Sequence, residues 1–127
     1  MKSRQEKLSA AKTGKGAFVP ARGDVIWLQF NPQAGHEQAG RRPAVVISPL
    51  SYNQRSGLCL VVPITSQQKD YPFEVPIPAD LPVSGTVLSD QLKSVDFQAR
   101  EARFICTLPE TTTRAIVQRA GLLVTAR

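Results

Sequence analysis

The chain of 127 residues contains one histidine, one tryptophan and two cysteines, and these shortages remove several kinds of chemistry. Cys59 and Cys106 stand far apart, each inside an apolar strand-like run, a setting that suits buried free thiols and not a disulfide framework. With His36 as the lone imidazole, a structural zinc site lacks its soft ligands. The carboxylates Asp24, Glu37, Asp90 and Asp96 form no recognisable cage for a hard cation, so no metal is expected. The phosphate-cradling GxxxxGK[ST] loop, the HExxH helix, a CxxC pair and the glycine-rich dinucleotide fingerprint are all missing, and no cofactor is expected. No stretch approaches the apolar length that crosses a bilayer. The basic start, MKSRQEKLSAAKTGKGAF, lacks the apolar core of a secretory signal, which makes the cytoplasm the default compartment.

What is present in excess is positive charge, a net +6, but its distribution limits its meaning. Residues 1–18 carry Lys2, Arg4, Lys7, Lys12 and Lys15 against Glu6, a net of +4, which leaves +2 for the rest. Most of the excess is a solvated tail, weak support for nucleic-acid binding. Residues 1–20 show no apolar periodicity and read as a flexible basic extension; residues 21–127 are long enough for one compact domain.

Within that domain, short β-type runs follow one another: VIWLQF at 25–30, AVVIS at 44–48, LCLVVPI at 58–64, FEVPI at 73–77, TVLSD at 86–90 and RFICT at 103–107. Turn residues separate them, among them Asn31-Pro32, Ser56-Gly57 and the proline-rich 76–85 stretch. The convincing helix is C-terminal: Pro109 and Glu110 open it, and Ile116, Ala120, Leu123 and Val124 fall on one face, which should cover the sheet. Thr107 and Glu110 have capping-box spacing, with Leu108-Pro109 as an alternative boundary. A short helix near 50–54 is a further expectation. The fold class is mainly β with a C-terminal helix, a small, partly open barrel of SH3-like type.

The densest polar cluster is the loop Gly35-His36-Glu37-Gln38-Ala39-Gly40-Arg41-Arg42-Pro43. Cleaving RNA without a metal requires a base for the 2′-hydroxyl, a cation for the crowded phosphorane and a proton for the leaving 5′-oxygen. Glu37 and Arg42 have the side chains for the first two, and the planar fork of Arg42 matches phosphate oxygens. Thr65 ends a strand before the polar 66–70 loop, where its hydroxyl either faces a phosphate or caps the following turn. On composition alone, a solvated hairpin loop, with Arg42 paired to Asp90 or Glu37 at the surface, is the commoner account of residues 35–43. Trp27 and Phe30 suit core packing; Tyr71 and Phe73 suit either packing or base stacking.

Four blocks in order and register resemble the MazF/PemK toxin family: RGDVIWLQFNPQAGHEQAGRRPAVVISP, then YN, then VVPITSQQKDYPFEV, then VLSDQLKSVDFQAR. The resemblance runs from about Arg22 to the C-terminal helix. It implies the CcdB/MazF/Kid toxin fold, a homodimer, and a metal-independent endoribonuclease that cuts single-stranded mRNA to leave a 2′,3′-cyclic phosphate and a 5′-hydroxyl. It also implies a MazE-like antitoxin partner. By position, Arg42 and Thr65 match the family's catalytic pair, Glu37 its base or orienting acid, and His36, Gln38 and Gln91 its groove-lining polar residues. Gln67 and Lys69 are candidates for base recognition. In the PemK branch an arginine stands two residues before the Asp-Gln pair. Here that position is Leu88, which places the chain nearer the MazF branch and takes Asp90 out of an Arg-Asp catalytic pair. Two other readings stay open: a CcdB-like barrel that poisons gyrase by contact, and a homologue that binds RNA or antitoxin without cutting.

Overall fold

The structure is a computed structural model that describes residues 18–30 and 40–127. His36, Glu37 and Gln38 lie outside the described residues, as does most of the expected extension. Strands β1 (Asp24–Phe30), β2 (Gly40–Val46), β3 (Leu58–Thr65), β4 (Glu74–Pro76), β5 (Thr86–Leu88), β6 (Lys93–Asp96) and β7 (Arg103–Thr107) combine with helices α1 (Leu50–Ser56) and α2 (Glu110–Thr125). The strands order as β4-β5-β3-β2-β1-β7, with β6 also paired to β3, all antiparallel. The path ends at β4 and β7, so the sheet curls without closing, as the sequence predicts.

Continuous apolar runs arise because the central strands are covered on both faces. One face gathers Val25, Val45, Val62, Val75, Val87, Cys106 and Leu108 around Ile116 and Ala120 of α2. The other gathers Ile26, Leu28, Ala44, Val46, Cys59, Val61, Val95 and Phe97. Neighbours such as Val25 and Ile26 therefore serve opposite cores, the two-residue period of a strand. Phe18 and Val19 pack against the second core, and the Phe18 ring meets Phe104 edge-on at 6.4 Å. Both cysteines are buried free thiols. Burial pushes the Cys59 thiol up to about 12, and burial followed by the Asp24 charge raises that of Cys106.

Polar ties close the ends of the strands. Asp24, 1% exposed, accepts hydrogen bonds from Ala21 N (2.9 Å) and Thr107 Oγ1 (3.2 Å). Thr107 is thereby committed to the sheet, and α2 starts after Pro109 with no side-chain cap. The capping-box expectation is thus corrected in favour of the Leu108-Pro109 boundary. Asn53 of α1, fully buried, donates to Pro20 O (2.7 Å) and Ser48 O (3.2 Å) and accepts from Ser48 Oγ (2.6 Å). Asn53 thus fixes the chain before β1 to the turn after β2.

Four further expectations need correction. A seventh strand, β6, lies in a segment to which the sequence assigned no strand, and the expected 73–77 and 86–90 strands contract to three residues each. On α2, Leu123 and Val124 are exposed (49% and 82%) while Ile116 and Ala120 are buried, because the helix runs past the edge of the core. Trp27 is half-buried and outside both cores. Its ring lies under the Arg41 guanidinium, 5.3 Å from the centroid, a cation–π contact at the sheet surface.

Candidate active site

Thr65 is the last residue of β3, which lies between β2 and β5 in the sheet. The ladder to β2 ends at Ala44↔Pro63, and on its other side β3 pairs β5 through Ile64↔Val87 and Thr65↔Thr86. Continuing the β2–β3 register sets Arg42 level with Thr65, and alternation puts both on the same face of the sheet. Arg41 belongs to the opposite face, where it covers Trp27. Alternation thus divides the Arg-Arg pair, with the second arginine alone on the Thr65 side. Arg42 is exposed.

Beside Thr65 lies a groove of about 260 Å³ lined by Thr65, Gln67, Lys69, Tyr71, Glu74, Leu88, Asp90 and Gln91. The turn after β5 supplies Asp90 and Gln91, folded by the bond from Gln91 N to Leu88 O (3.1 Å). The structure therefore brings together Thr65, Gln67, Lys69 and Gln91 of the predicted residues. Arg42 lies outside the lining and approaches from the level of the neighbouring strand. Leu88 gives the groove an apolar wall beside Asp90, at the position where a PemK-type arginine would stand.

Close approach of the strands depends on Gly85. Its φ is +129°, and a Cβ there would sit 2.5 Å from the Thr65 carbonyl oxygen, inside any tolerable contact. This glycine lets β5 begin directly against the backbone of Thr65.

The hydroxyl of Thr65 accepts the Gln67 N–H at 3.1 Å. It caps the turn, and its own proton remains available for an acceptor in the groove. The turn-capping and phosphate-facing readings are therefore compatible. Glu74 accepts the Lys69 N–H with both carboxylate oxygens (3.1 and 3.2 Å), and Tyr71 lies against Phe73 with ring centroids 5.7 Å apart. Among the lining residues one cation, Lys69, faces two carboxylates, Glu74 and Asp90. By formal charge the groove lining does not favour phosphate, so charge for a phosphate must come from outside it, and Arg42, level with Thr65 in register, is a cation on the same face. The groove itself, with amide, carboxylate and aromatic groups, suits bases rather than backbone.

Tyr71, left open on sequence grounds, and Glu74, which the sequence reading missed, both belong to the site. Glu74 alternates with buried Val75, the ordinary pattern of a solvent-facing strand residue. Its contact with the Lys69 main chain has no signature in residue type.

Residues 21–124 match the family described as PemK-like, MazF-like toxin of type II toxin-antitoxin system. The chain is 44% identical over 107 residues to the endoribonuclease toxin MazF of Escherichia coli K12, covering 84% of this chain and 96% of that protein. It is 31% identical over 108 residues to the endoribonuclease PemK of Escherichia coli, covering 82% and 81%. A crystal structure of MazE-MazF from Deinococcus radiodurans superposes with a TM-score of 0.81 at 45% identity, covering 87% of this chain and 99% of that one. Family match, identity and fold agree: the chain belongs to the PemK/MazF family of type II toxin-antitoxin toxins and stands nearer to MazF than to PemK.

Proposed function

We propose that this chain is the toxin of a type II toxin–antitoxin pair: a homodimeric, cytoplasmic endoribonuclease that cuts single-stranded mRNA at short sequences and is held in check by a MazE-like antitoxin. Residues 21–127 form the catalytic unit, and the basic extension lies outside the reaction. The observation that carries the reading is the common face of Arg42 and Thr65 at the end of β3, just past its ladder to β2, with a groove beside Thr65 whose lining suits bases.

The reaction follows from the groups. The substrate's own 2′-hydroxyl attacks the adjacent phosphorus, which makes a metal-activated water unnecessary. The bond to the 5′-oxygen breaks and that oxygen takes up a proton from solvent, in place of the one the 2′-hydroxyl gives up, leaving a 2′,3′-cyclic phosphate and a 5′-hydroxyl. Glu37 takes or orients the 2′-hydroxyl proton. Arg42 spreads positive charge over the phosphorane oxygens, and the Thr65 O–H donates to one of them. His36, Gln38, Gln67, Lys69 and Gln91 contact the RNA around the scissile phosphate. Single strands are the substrate because their bases splay out, whereas an A-form duplex hides its sequence.

Thr65→Ala tests this assignment. Loss of one aimed donor should slow single-turnover cleavage roughly 100-fold or more. Affinity for an uncleavable 2′-deoxy oligonucleotide should change by less than about threefold, one hydrogen bond of many. Equal losses in both would make Thr65 a binding residue.

A further inference from the structure

The loop between β3 and β4 forms one wall of the groove through Gln67, Lys69 and Tyr71. Its residues 66–72 are all exposed, so no buried apolar side chain fixes their conformation, and hydrogen bonds to the main chain must do so. One bond is the Gln67 N–H to Thr65 Oγ1 described above. Two others come from further away. The Glu74 carboxylate holds the Lys69 N–H with both oxygens, a charge-assisted bond roughly twice as strong as a neutral one. Arg119 of α2, 47 residues distant in sequence, donates from Nε to Pro72 O at 3.1 Å, while its other arm donates to Ala115 O at 3.2 Å. The bond to its own helix keeps the guanidinium aimed at the loop. Between these anchors Asp70 adopts a left-handed φ of 54°, a conformation that persists where the surroundings dictate it.

We infer that Glu74 and Arg119 are positioning residues for RNA recognition. Each grips the main chain at one end of the 69–72 wall, and together they fix where Lys69 and Tyr71 stand against the bases, and so which sequence is cut. The inference rests on the ribonuclease reading above. It predicts a particular division between substitutions. Glu74→Gln keeps an oxygen for the Lys69 N–H and should hold the wall; Glu74→Ala removes both acceptors and should release it. Arg119→Met keeps the stem of the side chain and loses the donor to Pro72.

Cut sites are mapped by primer extension on a long single-stranded RNA for wild type, Glu74→Ala, Glu74→Gln and Arg119→Met, with KM and kcat measured on an oligonucleotide carrying the preferred site. Glu74→Ala and Arg119→Met should cut at a broader set of sequences, with KM raised roughly tenfold and kcat within about threefold of wild type, the pattern of lost binding and not lost chemistry. Glu74→Gln should resemble wild type. Lys69 amide hydrogen exchange should accelerate in Glu74→Ala, with the melting temperature little changed. Unchanged cut sites and KM in Glu74→Ala and Arg119→Met would overturn the inference. So would damage by Glu74→Gln equal to that by Glu74→Ala, which would mean that Glu74 reads a base directly, or a fall in kcat at unchanged cut sites. Wild-type protein that cuts nothing would instead remove the ribonuclease reading and the claim on site selection with it, leaving Lys69 exchange to decide the anchor alone.

Discussion

Gly85→Ala should damage fold and site together, and its magnitude can be worked out. The φ of +129° lies in a region that side chains rarely adopt, a strain of about 1–3 kcal/mol. The added Cβ would stand 2.5 Å from Thr65 O and 3.1 Å from Ile64 Cγ2. Ordinary C···O contacts are about 3.3 Å or longer, so the strands must part by most of an ångström. The obstructing atom is backbone, held in the ladder by Ile64↔Val87 and Thr65↔Thr86. Such overpacking adds about 1–3 kcal/mol. The sum is about 4 kcal/mol, a large share of the 5–15 kcal/mol typical of a domain, and lowers Tm by roughly 15 °C for a chain of this size. Gly57→Ala is the control: its φ is +75°, and nothing lies within 4 Å of the added Cβ, so conformational strain alone remains, about 1–2 kcal/mol. Thermal and urea unfolding followed by circular dichroism measure both. A further effect appears below the lowered Tm, where displacement of Thr65 should slow cleavage roughly 100-fold. Equal destabilisation by the two alanines, within about 1 kcal/mol, would refute the close-approach reasoning.

Three other outcomes follow from buried polar groups. Asn53→Ala should destabilise by about 2–4 kcal/mol, read as a lower urea midpoint, since it removes the acceptor of the Ser48 O–H and the donor to the Pro20 carbonyl; a change below about 0.5 kcal/mol would show that water replaces the side chain. Ser89→Ala should be neutral or stabilising by up to about 1 kcal/mol, because the Ser89 hydroxyl is fully buried and has no hydrogen-bond partner; clear destabilisation would reveal a partner. The Cys59 pKa is raised in the folded state to about 12, so its contribution is complete below the ordinary thiol range and is lost as pH climbs through the window up to about 12. Stability should fall above pH about 9 by at most about 1.4 kcal/mol per pH unit, and Cys59→Ala should flatten that slope in urea titrations.

The parts of the fold that were legible are those where one local pattern decides the outcome. LCLVVPI is buried on both faces and reads as a strand from its composition; Ile116 and Ala120 announce the helix face. Strand β6 escaped because Val95 alone of Lys93–Asp96 is buried, and four residues with one apolar member show no period. Leu123 and Val124 continue the helical stripe, but the sheet beneath them has ended, a fact of tertiary geometry. Of the candidates that line the groove, Thr65 and Gln91 were named by family likeness, and Gln67 and Lys69 by their place in the polar loop after β3. Glu74 and Arg119 were not, because each acts on a backbone atom of another segment and main-chain acceptors and donors are the same in every sequence. The division of Arg41 from Arg42 followed from strand alternation once β2 was seen to begin at Gly40 instead of Ala44.

The central claim is that Arg42 and Thr65 cut RNA without a metal. Its most direct test is incubation of purified, antitoxin-free protein with a long single-stranded RNA in excess EDTA, with Arg42→Ala in parallel and the ends mapped and chemically identified. The account predicts discrete cuts ending in 2′,3′-cyclic phosphate and 5′-hydroxyl groups, absent in a folded Arg42→Ala protein. Cleavage by Arg42→Ala at the wild-type rate would remove this arginine from the mechanism, and no cleavage by folded wild-type protein would contradict the ribonuclease itself.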